Sequence, residues 1–210
     1  MDSPLQAFDK GLLTGGLAAR LIGTDEAGRG PLAGPVVAAA VWLKPGPHPE
    51  LSSVRDSKKL SPRRREALLG VIRSRAQGVG VGWASAREID RDDILRASLA
   101  AMRRAIGRLS PPPEGTLVLV DGNQEVPGLR FGQKTVVGGD GLSLSVACAS
   151  IVAKVLRDRW MGVLDARYPG YAFSRHKGYG TREHLDALSR LGPCPEHRLS
   201  FAPVRRGVPA

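Results

Sequence analysis

Apolar and polar residues alternate in blocks along this chain, and Gly- and Pro-rich stretches separate the blocks. Residues 21–24 form an apolar segment that reads as a strand ending at Asp25. Residues 36–43 are apolar without alternation, which predicts a second strand buried on both faces. A Pro-rich loop covers residues 44–49. Ser61-Pro62 marks a helix start, with Ser as N-cap and Pro in the first turn, and Ala67, Leu68, Val71 and Ile72 then share one stripe. Residues 78–84 predict a short strand. Ser85-Ala86-Arg87-Glu88 is a capping-box pattern ahead of a longer helix whose apolar face is Ile94, Leu95, Leu99, Met102 and Ile106. Pro111, Pro112 and Pro113 end that helix. Residues 116–120 form a strong strand running into Asp121, and residues 134–137 another running into Gly138-Gly139-Asp140. Residues 143–164 are helical and rich in small side chains. Thr181 opens a last helix with Leu185, Leu188 and Leu191 on one side, and the tail from Gly192 reads as irregular.

After the first two strands, strands and helices alternate, so the expected fold class is α/β, a mixed sheet flanked by helices. In such sheets ligands gather beyond the carboxyl ends of strands. Asp25, Asp121 and Asp140 each follow a predicted strand, and Glu26 adjoins Asp25. Adjacent carboxylates at the edge of a core are costly unless hydrated, paired or bound to a cation, and hard divalent ions take oxygen ligands. Gly28-Arg29-Gly30 then offers exposed backbone and one planar cationic fork for an anion. Carboxylates for a metal beside donors for phosphate indicate a metal-dependent phosphodiester site. Taken singly, each acid has a blander role: Asp121-Gly122-Asn123 is a turn pattern, and acids favour helix first turns. Their joint placement carries the metal reading.

The 210 residues suit one domain, and 42% hydrophobic residues can fill its core. Aromatics are only 5%, so aliphatic side chains must do the packing. Lys and Arg number 31 against 20 Asp and Glu, a formal charge of +11, which favours a polyanion as partner. Cys148 and Cys194 lack metal-ligand spacing and read as reduced, cytosolic thiols. The first 20 residues carry Asp2, Asp9 and Lys10 without a sustained apolar run, unlike a signal peptide, and no segment approaches a membrane span. The expectation is a cytoplasmic monomer with no membrane contact.

These residues resemble the bacterial ribonuclease HII family, the type 2 ribonucleases H. The matching blocks are Asp25-Glu26-Ala27-Gly28-Arg29-Gly30-Pro31, Asp56-Ser57-Lys58-Lys59-Leu60, Val120-Asp121-Gly122, Gly139-Asp140, Ala149-Ser150-Ile151-Val152-Ala153-Lys154, Arg157-Asp158 and His176-Lys177-Gly178-Tyr179, in family order over nearly the whole chain. The resemblance implies a ribonuclease H-like fold with a central five-stranded mixed sheet. It implies an N-terminal extension over residues 1–19, a catalytic domain over 20–210, and a C-terminal helical extension from about residue 165. It also implies metal-dependent cleavage of RNA in RNA–DNA hybrids and incision on the 5′ side of single ribonucleotides in duplex DNA, leaving 3′-hydroxyl and 5′-phosphate ends. Its metal ligands map onto Asp25, Glu26, Asp121 and Asp140, holding Mg²⁺ or Mn²⁺, two ions during catalysis. Asp158 is a weaker candidate, since it can pair with Lys154 one helical turn back.

Telling RNA from DNA at one nucleotide requires reading a 2′-hydroxyl, which backbone groups can do without base preference. The resemblance assigns this to Gly28, Arg29 and Gly30, and assigns Tyr179 to the deoxyribose that follows, with Tyr168 and Tyr171 as nearby rivals. Lys58 and Lys59 are assigned to substrate through the motif alone, and Lys154, Arg157 and Lys177 are further phosphate candidates. The chain departs from the family where Gly138 stands in place of a common Lys before Gly-Asp, and where Ala147-Cys148 stands in place of Ser-Ala. The Pro-rich basic tail is accessible enough to contact a replication clamp. Two rival functions differ in what they require. A non-catalytic duplex-binding module leaves the acidic cluster unexplained, and the related ribonuclease HIII carries an N-terminal substrate-binding domain for which about 20 residues are too few. A P-loop reading of residues 128–135 fails on spacing.

Overall fold

The computed structural model describes residues 3–54, 60–111 and 114–206. Five strands, β1 (Arg20–Ala27), β2 (Val36–Leu43), β3 (Ala76–Ala84), β4 (Thr116–Asp121) and β5 (Gly132–Val136), form one sheet in the order β3-β2-β1-β4-β5. The β1–β2 and β2–β3 pairs are antiparallel, while β1–β4 and β4–β5 are parallel, so the sheet is mixed as expected. The helices are α1 (Pro4–Thr14), α2 (Pro62–Arg75), α3 (Ala86–Asp92), α4 (Ile94–Ile106), α5 (Leu144–Arg167), α6 (Phe173–His176), α7 (Arg182–Leu191) and α8 (Ala202–Arg206).

Strand β2 shows why its sequence does not alternate. Ala39 and Val41 pack into the cluster shared with α5, while Val36, Ala38 and Ala40 pack into the cluster shared with α4. Both faces are therefore dry, the condition that favours an unbroken apolar run. Helix α5 is its counterpart. Residues 143–153 are all buried, and the small side chains Ala147, Cys148, Ala149 and Ala153 let the helix lie against the sheet. Cys148 is fully buried and its thiol is pushed up by that burial, consistent with a packing role.

Of the three apolar stripes read from the sequence, those of α2 and α4 hold for most of their residues and that of α7 is rotated. In α4 Ile94, Leu99, Met102 and Ile106 pack into the core as the stripe requires, but the face closest to the sheet is Ala97, Ala101 and Ala105, and Leu95 is 37% exposed. The cause lies on the facing strand. A Cβ added to Gly80 would stand 2.0 Å from the Ala105 carbonyl oxygen, and one on Gly82 would stand 2.2 Å from that of Ala101. Helix and strand backbones meet through small residues, so the large aliphatics are displaced to the flanks. In α2 Ala67 is exposed and Leu69 is buried instead; in α7 His184, Ala187 and Leu188 face inward while Leu185 and Leu191 do not. The capping signals were sound: Ser61 accepts from the Arg64 amide, and Ser85 and Glu88 form the reciprocal capping box.

Three elements left no clear pattern in the sequence. Helix α1 has a Ser3 N-cap and buries Leu5, Asp9 and Leu12. The Asp9 carboxylate accepts the Ser145 amide at 2.9 Å, capping α5 from 136 residues away. A 3₁₀ turn over Pro49–Val54 buries Leu51 and Val54, and α6 is a single turn. Among the described residues, no helix is long and apolar enough to cross a membrane.

Candidate active site

Parallel pairing of β1 with β4 aligns Thr24 with Val120, so the next residues, Asp25 and Asp121, stand side by side where β4 ends. Asp25 is 5% exposed. Its Oδ1 accepts the Glu26 amide at 2.7 Å, and its carboxylate also accepts from the Ser150 hydroxyl of α5. Burial first, and then the charges of Glu26 and Asp121, hold the Asp25 carboxyl well above the usual carboxylate range. Glu26 is raised mainly by burial and also by Asp121, against the opposing pull of Arg29, whose Nη1 lies 3.3 Å from Glu26 Oε1. The Gly139 amide donates to Asp121 Oδ1 at 2.6 Å. That bond brings the 3₁₀ turn Gly139–Gly141, and Asp140 within it, to the same edge. Gly138 sits ahead of the turn at φ 67°, in the left-handed region where Gly carries no Cβ penalty, so the departure from the family pattern has a conformational reason.

All four acids thus share one sheet edge. They do not form a ready-made cage: among the described residues no group of three or more His, Cys, Asp or Glu side chains is disposed to hold a metal ion. Glu26 leans toward Arg29 instead. Even so, the donor set fits a hard divalent cation. It is all oxygen, burial raises the proton affinity of Asp25 and Glu26, and among the described residues no salt bridge involves Asp25 or Asp121.

Next to the acids lies residue pair Gly28 and Gly30. Gly28 has φ 100°, and a Cβ there would stand 1.9 Å from Arg157 Nε, so no other residue fits. A Cβ on Gly30 would stand 3.7 Å from the ring of Tyr179. The Gly-Arg-Gly backbone and Tyr179 are therefore neighbours, and Tyr179 is 47% exposed. The rival Tyr171 is buried, donates its hydroxyl to the Gly192 carbonyl at 2.6 Å and stacks on Phe173. Tyr168 is half-buried, with the Arg167 guanidinium over its ring. Lys58 and Lys59 lie outside the described residues.

Other basic candidates divide. Lys154 pairs with Asp158 at 2.7 Å, and Arg65 approaches the same carboxylate at 3.7 Å, which gives Asp158 a structural role. Lys177 donates to the Ser174 carbonyl. Arg157 is 1% exposed and cannot reach a phosphate in solution: it donates to the carbonyls of Pro35, Lys177 and Ala33. A signal was present, since Arg157 shares a helical stripe with Ala153, Met161 and Leu164. Arg198, also fully buried, lies in an irregular segment that offers no periodicity to read, and His184 and His197, which the sequence leaves as capping or surface groups with His184 a weak candidate for protonating the leaving group, are both buried.

Known proteins resemble this chain over most of its length. The family model described as Ribonuclease HII matches residues 22–204. A ribonuclease HII from Geobacillus kaustophilus is 50% identical over 206 residues, covering 98% of this chain and 76% of that protein. One from Geobacter metallireducens is 54% identical over 186 residues, covering 89% and 85%. Among solved structures, the ribonuclease H2 of Pyrococcus horikoshii superposes with a TM-score of 0.75 at 24% identity, over 90% of this chain and 96% of that one. The ribonuclease HII of Archaeoglobus fulgidus, solved as a complex with PCNA, gives 0.63 at 26% identity, over 81% and 85%. With the acids at one sheet edge and the family model spanning nearly its whole length, the chain belongs to the ribonuclease HII family and is a ribonuclease H endonuclease acting on RNA–DNA.

Proposed function

We propose that the protein incises duplex DNA on the 5′ side of a single embedded ribonucleotide, and cleaves RNA in longer hybrids, leaving 3′-hydroxyl and 5′-phosphate ends. The observation that carries the reading is the adjacency of three parts: the acidic edge, the Gly28-Arg29-Gly30 backbone immediately after it, and the exposed Tyr179 ring beside Gly30. Asp25, Glu26, Asp121 and Asp140 would hold Mg²⁺ or Mn²⁺. Divalent ions bound there supply an activated water and stabilise the leaving 3′ oxygen. The residues around them do the selecting. Backbone groups of residues 28–30 meet the ribose without regard to base, and the Tyr179 ring lies against the next sugar, where it senses the missing 2′-hydroxyl by contact. Arg29, half-exposed and bridged to Glu26, can exchange that bridge for a phosphate.

The test is a duplex carrying one ribonucleotide, incubated with Mg²⁺, with Mn²⁺ and with chelator, followed by analysis of the product ends. Incision only with metal, with a 3′-hydroxyl upstream, is the expected result. Binding without product would move the reading to a duplex-gripping module, and cleavage confined to long RNA tracts would move it toward a ribonuclease HIII-like specificity. A clamp contact through the C-terminal tail belongs to the same proposal. Its support is the Archaeoglobus relative solved with PCNA, and residues 207–210, which would extend that tail, lie outside the described residues.

A further inference from the structure

Both halves of the proposed substrate reader are gripped from behind by two consecutive residues of the C-terminal segment. Two backbone hydrogen bonds join that segment to the stretch after Gly-Arg-Gly and together make one bridge. The Gly34 amide donates to the Glu196 carbonyl at 2.8 Å, the Arg198 amide donates to the Leu32 carbonyl at 2.8 Å, and Ala33 pairs with His197 as an antiparallel bridge. From this anchored backbone the two side chains point to different parts of the site.

Arg198 reaches the Gly-Arg-Gly loop. It is fully buried, and among the described residues it forms no salt bridge. Its Nη2 donates to the Gly28 carbonyl at 2.6 Å, its Nη1 to the Arg29 carbonyl at 2.8 Å, and its Nε and Nη2 to the Gly34 carbonyl at 3.1 and 2.9 Å. A buried guanidinium without a carboxylate is costly. Here backbone carbonyls accept all its hydrogen bonds, with the Phe201 ring 5.2 Å from its Cζ and the Asp90 charge also favouring the cation, and two of those carbonyls belong to the tripeptide that would face the ribose.

His197 reaches Tyr179 through one intermediary. Its Nε2 lies 3.1 Å from His184 Nε2, and His184 Nδ1 lies 2.9 Å from the Tyr179 carbonyl oxygen. A carbonyl only accepts, so His184 carries its proton on Nδ1 and accepts at Nε2. His197 must then donate from Nε2, and its Nδ1 accepts the Cys194 amide at 3.0 Å. Each ring has one tautomer, with every donor matched. The Tyr179 backbone is held at the end of this chain.

We propose that His197 and Arg198 are a positioning pair that fixes the spacing between the Gly28-Arg29-Gly30 backbone and Tyr179, and thereby sets selectivity for a lone ribonucleotide over a continuous hybrid. The inference rests on the assignment of those two elements as the substrate reader. Its logic is one of register. A long hybrid offers a ribose in many registers. A lone ribonucleotide offers one, in which ribose and following deoxyribose must both be seated, and misplacement by about 1 Å costs on the order of a hundredfold.

The experiment measures kcat/KM on a single-ribonucleotide duplex and on a long hybrid, well below each variant's melting midpoint, and compares the ratios. In Arg198→Lys, which keeps the charge and loses the fork, and in His197→Leu, the ratio should fall about tenfold or more. His197→Gln, whose amide can still donate toward His184, should recover most of it. In a Tyr179→Ala background the same substitutions should move the ratio less than about threefold, because the aligned partner is gone. Equal loss on both substrates, an unchanged ratio, or full additivity with Tyr179→Ala would overturn the proposal. Should Arg198→Lys fail to fold, the two His197 variants decide; failure of all three to fold makes the segment purely structural and overturns it as well. A wild-type protein that ignores the lone ribonucleotide is a different failure, that of the substrate reading, and removes the proposal with it.

Discussion

Asp25 has exchanged water for two hydrogen-bond donors and two like charges. Its neighbours make it a poor anion in the free protein and a good ligand for a cation. Asp25→Asn and Asp121→Asn should therefore each lower incision roughly a hundredfold or more, while the melting midpoint of the metal-free protein stays level or rises. Rate assays paired with thermal melts check both halves; an Asp121→Asn protein that still turns over would refute the ligand assignment. Tyr179→Ala should damage the lone-ribonucleotide substrate more than the hybrid, and a competition assay reads that directly. At this scale, the acids at strand ends were legible in the sequence, since acids placed after apolar runs are conspicuous. Arg157 was misjudged as a phosphate ligand and Arg198 went unnoticed, because a buried cation satisfied by carbonyls has the same letter as a surface one.

Elements carry their own consequences. The His176–His184–His197 cluster packs around Phe173 and joins α6, α7 and the C-terminal segment. Burial first, and then His184, depress the His197 imidazole to about 4, below its ordinary value near 6.5. The folded state thus favours the neutral ring. The stability this contributes is complete above about pH 6.5 and is lost as pH falls toward 4, where the unfolded chain binds the extra proton. Denaturation midpoints of wild type and His197→Gln, followed from pH 7.5 down to 4.5, should converge as the pH drops; parallel curves would discount the effect. On the opposite face of the sheet, Gly80→Val would push a side chain into the Ala105 carbonyl and should cost about 1–3 kcal/mol, read from chemical denaturation. That same contact explains which element details the sequence concealed. Strand positions and helix caps were readable because they depend on local chemistry. The rotated stripe of α7 and the small-residue contact face of α4 were not, because which face turns inward depends on how small the facing surface is.

For the whole molecule, charge is the dominant quantity. With 31 basic against 20 acidic side chains, binding to duplex should be driven largely by displaced counterions. The logarithm of affinity should fall linearly with the logarithm of salt, by about 0.9 per phosphate neutralised, and a titration by fluorescence anisotropy measures the slope. A flat line would mean that the surplus charge does not face the nucleic acid. The mixed five-stranded sheet was legible from the order of blocks alone, as was the edge at which the acids gather. The way α1 caps α5 and the segment around His197 and Arg198 holds the stretch after Gly-Arg-Gly was not, since it rests on single long-range bonds that no window of sequence contains.

One of those bonds has a practical consequence. The first nineteen residues look expendable, yet Asp9 stoppers the buried Ser145 amide at the start of α5, and five residues further along that helix the Ser150 hydroxyl steadies Asp25. Trimming the leading helix to obtain a smaller protein would uncork the helix that braces the catalytic edge, so the damage would surface in turnover at a point far from the cut.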